Sequence, residues 1–541
     1  MRRNLLAVSC AAALAVVSLQ PEARVTRIVI DTTADITGQP YEELTGRAFG
    51  ELDPNHPGNA LITDLRLAQP NARGNVEYVA SWRIRKPKDM STSSGVMWHD
   101  VPNRGNNVVF NPDLFANRDL HLLSGWQGDN AGNTRVPANV DCLPPYVAPC
   151  AAPVFANHYV KTPVLTGVTG KILGRIVNRS GMNGQPLNVM GNPIPYWPVD
   201  LSNNAGATLT TVLHETIDGK VTYGPVVPNA DWKFCAPGST FDAALTPTAL
   251  PVGVCLREGF DAAKLYQLVY TVKDPYVLGA GTAAFRDVQS FFRYEARDDY
   301  GTPNPVAGQV KRTIARGSSQ SGNFLRHFIH LGMTQDEAGR KVHDGSWPLI
   351  AGRRVANNSR WGQPDGVLEL YQMGSEGPQW WHQFPDHARR LHPAGILDRC
   401  EATKTCPKVV ETFGGAEVFA LKMTTSWVGT AAHNDIPLPK NVRRYYLPSS
   451  SHGGGSGQTT ENPPPPAASC PGNNWGRPVL RANPVPATGM VNRVRAALRD
   501  WVVDGTEPPA SVWPRMKDKN LVEPTMKAMG FPKGVPGIPD S

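Results

Sequence analysis

The chain has 541 residues, more than one ordinary hydrophobic core uses, so a core with a large insertion or a second domain is expected. Hydrophobic residues make up 40% and charged residues 18%, which excludes a disordered chain. The formal net charge of +8 is a mild excess, and no Lys/Arg block of the nucleic-acid-binding kind occurs, so no nucleic-acid partner is expected.

The first residues read as an export signal. Arg2 and Arg3 precede an apolar run from Leu5 to Leu19, too short to span a bilayer. Removal of residues 1–23 is expected, with the cut between Gln20 and Arg24. Cys10 as a lipidated cysteine is the competing reading, but Ala7-Val8-Ser9 is a poor context for it. No other segment is apolar enough to cross a membrane, so stable insertion is not expected and the location is periplasmic or secreted. Export permits disulfides, and six cysteines lie in close pairs. The expected bridges are Cys142–Cys150, Cys235–Cys255 and Cys400–Cys406, with Cys470 left free. None of these pairs has the two-residue spacing of a zinc knuckle, and no metal or organic cofactor is expected.

In chain order, Val25–Asp31, Val76–Arg85 and Gly95–Val101 read as strands. A helix follows over Asn111–Asp119, then a short buried strand over Leu120–Ser124, stopped by Gly125-Trp126-Gln127-Gly128-Asp129. This alternation predicts a largely parallel sheet. From Asn130 to Gly259 the chain is rich in Pro, Gly, Asn and Thr, with β-like runs at Gly167–Val177 and Leu209–Leu213, and reads as a β-rich insertion. Leu265–Val272 is a strand leading back to the core. Thr282–Tyr294 has helical spacing, Val310–Ala315 is a β run, and Ser321–Leu331 is a helix. Gly345–Cys406, with Trp380 and Trp381, reads as a lid-like excursion. Lys408–Thr412 and Val442–Leu447 are strands, Pro463–Pro466 is a polyproline loop, and Val491–Val503 is an amphipathic helix. Residues 24–129 and 260–515 would then form one core around the insertion at 130–259, with a tail at 516–541.

The chemistry centres on Gly317-Ser318-Ser319-Gln320-Ser321-Gly322, a turn between a strand and a helix. A serine hydroxyl is a weak nucleophile and needs a base, a group to orient that base, and donors for an oxyanion. The strand–turn–helix elbow of α/β hydrolases exposes its serine only if the flanking residues are small. Gly317, Ser321 and Gly322 meet that need around Ser319, although Ser321 stands where glycine is usual. Ser321 is the rival nucleophile, but it would have Asn323 as a flank. In this fold the order is serine, acid, histidine, each after a core strand. Glu417 follows Lys408–Thr412, and His452 follows Val442–Leu447 on a glycine-rich loop. Asp344 and Asp435 are the rival acids. The oxyanion donors expected are the amide of Gln320 and one from the loop at Arg104 or Gly105. Trp126, Trp380 and Trp381 are candidates for a substrate wall, packing within the core being the alternative.

Seven motifs taken together resemble a family. They are Gly50-Glu51-Leu52-Asp53-Pro54, Val101-Pro102-Asn103-Arg104-Gly105, Gly125-Trp126-Gln127-Gly128-Asp129, Phe285-Arg286-Asp287, the turn at 317–322, Asp344-Gly345 and Ala416-Glu417. In order and variety they resemble the large secreted bacterial α/β-hydrolase-domain proteins, from about residue 25 to residue 515. The resemblance implies an α/β fold with a mostly parallel sheet flanked by helices, and Ser319, Glu417 and His452 as the triad. It departs at Ser449-Ser450-Ser451, where Gly-Thr-Gln is usual before the base. The expectation is a serine hydrolase of small-molecule or polymeric esters. An amidase with the same triad and a non-catalytic envelope binding protein are the alternatives.

Overall fold

The computed structural model describes residues 24–108, 113–129, 136–137, 139–145, 150–153, 157–177, 183–187, 196–215, 221–248, 251–261, 264–352, 359–362, 377–419, 421–448, 450, 452–453, 486–523, 525 and 527–530. The expected export signal with Cys10, the start of the helix expected at Asn111, the expected polyproline loop, Cys470 and the final residues lie outside this set.

Three long antiparallel strands open the chain: β1 (Arg24–Asp35), β2 (Tyr41–Leu52) and β3 (Val76–Pro87). The sequence reading had no strand at β2, because Gly46 and Gly50 interrupt its pattern. Both glycines face aromatic rings of β3. A Cβ on Gly46 would lie 2.5 Å from the Trp82 ring, and one on Gly50 would lie 2.2 Å from that of Tyr78. The rings of one strand thus fill the space that the other leaves empty. Next come β4 (Val96–Asp100), the short helix α1 (Asp113–Ala116) and β5 (Leu120–Ser124), with β4 and β5 parallel.

The middle of the chain holds β6 (Val160–Lys161), β7 (Thr169–Val177), β8 (Gln185–Pro186), β9 (Thr208–Glu215), β10 (Val221–Val227), β11 (Trp232–Cys235), β12 (Gly253–Leu256) and β13 (Leu265–Lys273). Apart from β6, which pairs with β3, they form two antiparallel sheets in the orders β10-β9-β13-β7 and β11-β12-β8. Ile172, Trp232, Phe234, Tyr266 and Leu268 belong to a buried cluster of their own.

The remaining elements are α2 (Gly279–Tyr294), β14 (Arg312–Ser318), α3 (Gln320–His330), β15 (Gly345–Leu349), β16 (Phe384–Asp386), β17 (Leu391–Ala394), α4 (Asp398–Ala402), β18 (Lys408–Phe413), α5 (Gly415–Phe419), α6 (Thr425–Val428), β19 (Val442–Tyr446) and α7 (Thr488–Asp504). The main sheet runs β1-β2-β3-β5-β4-β14-β15-β18-β19 and is parallel from β5 to β19. Successive side chains of a strand point to opposite faces. On β14, Ala315 joins the core that contains Phe285 of α2 and Phe324 of α3. Its neighbour Ile314 packs with Leu498, Trp501 and Val502 of α7. The sheet is therefore covered by helices on both faces. One boundary needs correcting: Gly345–Leu349 was expected to open the excursion, but it is a central strand, paired with β14 and β18. The three disulfides form as expected, each between cysteines close in the chain.

Candidate active site

β14 ends at Ser318 and α3 begins at Gln320, so Ser319 alone makes the turn. Its φ of 60° and ψ of −118° lie in a region that non-glycine residues rarely adopt. The surroundings impose it. The Ser319 N–H donates to the Leu349 carbonyl at 2.9 Å, and the Asn323 N–H donates to the Ser319 carbonyl at 2.9 Å. The flanking glycines are needed for closeness. A Cβ on Gly317 would lie 2.1 Å from the Ser321 carbonyl oxygen, and one on Gly322 would lie 2.9 Å from that of Leu349. Gly322 thus takes up the tight approach, and serine is tolerated at 321. The Ser321 hydroxyl is fully buried and has no hydrogen-bond partner.

His452 Nε2 lies 2.7 Å from Ser319 Oγ, and its Nδ1 is hydrogen-bonded to Glu417 Oε1. A carboxylate only accepts, so Nδ1 carries the proton and Nε2 is left to accept from the serine hydroxyl. The other Glu417 oxygen accepts the Gly414 N–H at 2.6 Å. Glu417 is fully buried, while the His452 side chain is 43% exposed. The loops carrying acid and base are tied together by the Gly415 N–H, which donates to the Ser450 carbonyl at 2.8 Å.

The rival acids lie elsewhere. Asp344 precedes β15 instead of following a strand, so it sits at the opposite, amino end of the sheet. There it accepts the Thr313 N–H at 3.0 Å and pairs with Arg293 at 2.9 Å. Asp435 accepts the amides of Met516 and Lys517.

The loop after β4 lies against the turn. Asn103 Nδ2 donates to the Ser318 carbonyl at 2.9 Å, and Arg104 and Gly105 both have positive φ. Here the structure narrows an expectation. The Arg104 N–H is bonded to the side-chain oxygen of Gln320 at 3.1 Å. Gln320 Nε2 donates in turn to Gln127 Oε1 at 3.1 Å, and Gln127 Nε2 to Asp129 Oδ1 at 2.9 Å. Arg104's amide is therefore engaged with Gln320, and of the two loop residues expected as donors only Gly105 is without such a bond to Gln320. Sequence reasoning missed Gln127, Asn103 and Gly414; the Gly-Trp-Gln-Gly-Asp motif was the available signal for the first.

The tryptophans pack. Trp126 is buried, lies 4.3 Å from the Phe324 ring, and donates to the Pro102 carbonyl at 2.7 Å, so it braces the loop from behind. Trp380 is buried and donates to the Ala394 carbonyl at 2.7 Å. Trp381 is buried with Ile329 and Ile396, under the guanidinium of Arg326. Both rings are thus buried against the core. Among the described residues, no group of three or more His, Cys, Asp or Glu is placed to hold a metal ion.

Residues 239–534 match the family described as Alpha/beta hydrolase domain, more than half of the chain. The chain belongs to this alpha/beta hydrolase family. No curated protein matches it. The family assignment agrees with the mostly parallel, helix-covered sheet and with the position of Ser319 at its carboxyl edge.

Proposed function

We propose that the chain is an exported serine hydrolase that cleaves carboxylic esters through Ser319, His452 and Glu417. The observation that carries this reading is the continuous hydrogen-bonded line from Ser319 Oγ through His452 to buried Glu417, at a strained turn between strand and helix. In the proposed reaction His452 Nε2 takes the hydroxyl proton as Ser319 Oγ attacks the ester carbonyl. The developing oxyanion is met by the amides of Gln320 and Gly105. Glu417 holds the ring and stabilises the imidazolium. His452 then hands the proton to the departing alkoxide, leaving an acyl group on Ser319. Water, deprotonated by His452, releases the acid and restores the serine. Export is supported by the sequence at 1–23 and by three disulfides. Among the described residues no helix is long and apolar enough to cross a membrane. We keep the division into a split core, 24–129 and 260–515, around residues 130–259.

A fluorophosphonate probe tests the reading. Labelling of Ser319, found by peptide mass spectrometry, together with faster turnover of p-nitrophenyl esters than of peptide anilides, is the expected result. Labelling elsewhere, or full esterase activity in Ser319→Ala, would sink it.

A further inference from the structure

We propose that the interior beside β18 and β19 holds one small monovalent anion, chloride at ordinary salt, on the guanidinium of Arg444. Glu411 and Arg444 are directly paired residues of these strands. Arg444 Nε donates to Glu411 Oε1, and the other oxygen of Glu411 accepts from Arg326 at 3.1 Å. All three side chains are at most 1% exposed. Two guanidinium groups thus face one carboxylate, both of whose oxygens are engaged.

The hydrogen-bond pattern points the same way. Both terminal nitrogens of Arg444 are buried without a partner. The guanidinium lies 5.3 Å from the Trp513 ring centroid and 6.0 Å from that of Trp427. The indole nitrogens of these two tryptophans are also buried and unpaired. These four nitrogens are all donors, since neither guanidinium nor indole can accept. A water molecule would bring two protons of its own and find donors facing it. An anion takes several donors at once and answers the charge of the Arg444 guanidinium directly. The neighbouring Phe413, Met423, Trp427 and Val428 form an apolar cluster, which favours a small singly charged ion over a hydrated or bulky one.

The site is tested by thermal unfolding of the purified protein, first freed of halide. Sodium chloride or bromide is expected to raise Tm by about 2–4 °C, while gluconate at equal ionic strength is not. Arg444→Met is expected to abolish the difference between the salts. An equal response to all salts would overturn the proposal. Because Arg444→Met can fail to fold, anomalous diffraction from bromide-soaked crystals of the unaltered protein gives a second reading. A peak within hydrogen-bonding reach of the Arg444 terminal nitrogens supports the site. Absence of a peak, or a carboxylate of the chain in that place, overturns it.

Discussion

Among the described residues two serine–histidine pairs stand out, His452 with Ser319 and His99 with Ser124, and their surroundings suit them to different ends. His99 Nε2 lies 2.8 Å from Ser124 Oγ, hardly different from the 2.7 Å between His452 and Ser319. His99 Nδ1 also has a partner, His343, at 3.2 Å. The third member separates them. Burial, and then the neighbouring His343, hold the His99 imidazole well below the usual histidine range, and burial pushes His343 down to about 3. Neither ring can take a proton at neutral pH. His99 is also stacked on Phe285 at 3.6 Å and shut off from water. A third arrangement, His121 on Asp100 at 2.7 Å, has a carboxylate, but both its oxygens are bound by Arg316. A base needs a carboxylate free to answer its charge, and a face open to substrate. Of these histidines His452 has both.

Paired substitutions break or sharpen this contrast. The largest effect is expected from Ser319→Ala, which should lower kcat for an ester by roughly 10⁴–10⁶-fold, while Ser124→Ala stays within about twofold. Comparable losses in both, measured on folded protein, would remove the distinction. Glu417→Gln should cost roughly 10³–10⁴-fold in kcat by loosening the ring and its tautomer. His343→Gln, at the same place in the other line, should leave kcat nearly unchanged. Gln127→Ala tests the brace behind the oxyanion loop. A loss of about 10–100-fold in kcat with little change in KM is expected, below the cost of removing an oxyanion donor outright; Gln127→Asn, which keeps both an amide acceptor and an amide donor, should recover part of it. The smallest effect concerns stability. His343 is neutral when folded but titrates near 6.5 when unfolded, so its contribution is complete above pH 6.5 and is lost as pH falls towards 3. Between pH 6.5 and 5 that amounts to about 1–2 kcal/mol, and denaturant titrations of His343→Gln should show a flatter slope there.

The sheet's carboxyl edge was legible because its signals are local. A β run, a glycine turn and a helix mark Ser319, and strand ends mark Glu417 and His452. What stayed hidden depends on contacts between distant segments. β2 reads as broken because Gly46 and Gly50 are complete only with Trp82 and Tyr78 opposite them. Gly345–Leu349 looks like the start of an excursion because Gly345 and Pro348 weaken a five-residue strand that its two neighbours hold in place. Trp380 and Trp381 looked like a substrate wall because sequence shows that an aromatic residue is present, not which surface it meets. The use of Arg104's amide by Gln320 spans 216 residues, and no spacing rule reaches that far.

That distance also bears on when activity can arise. The oxyanion loop, the serine and the base come from three segments, the loop 216 residues before Gln320 and the base 133 residues after Ser319. Closing such long loops is slow, and nothing rewards it until the parallel strands dock. A chain still unfolded, as during passage across a membrane, carries a bare serine and nothing to activate it. On the proposed reading of an exported esterase, hydrolytic power switches on only with the last strands in place, so esters of the producing cell are spared until the chain has left.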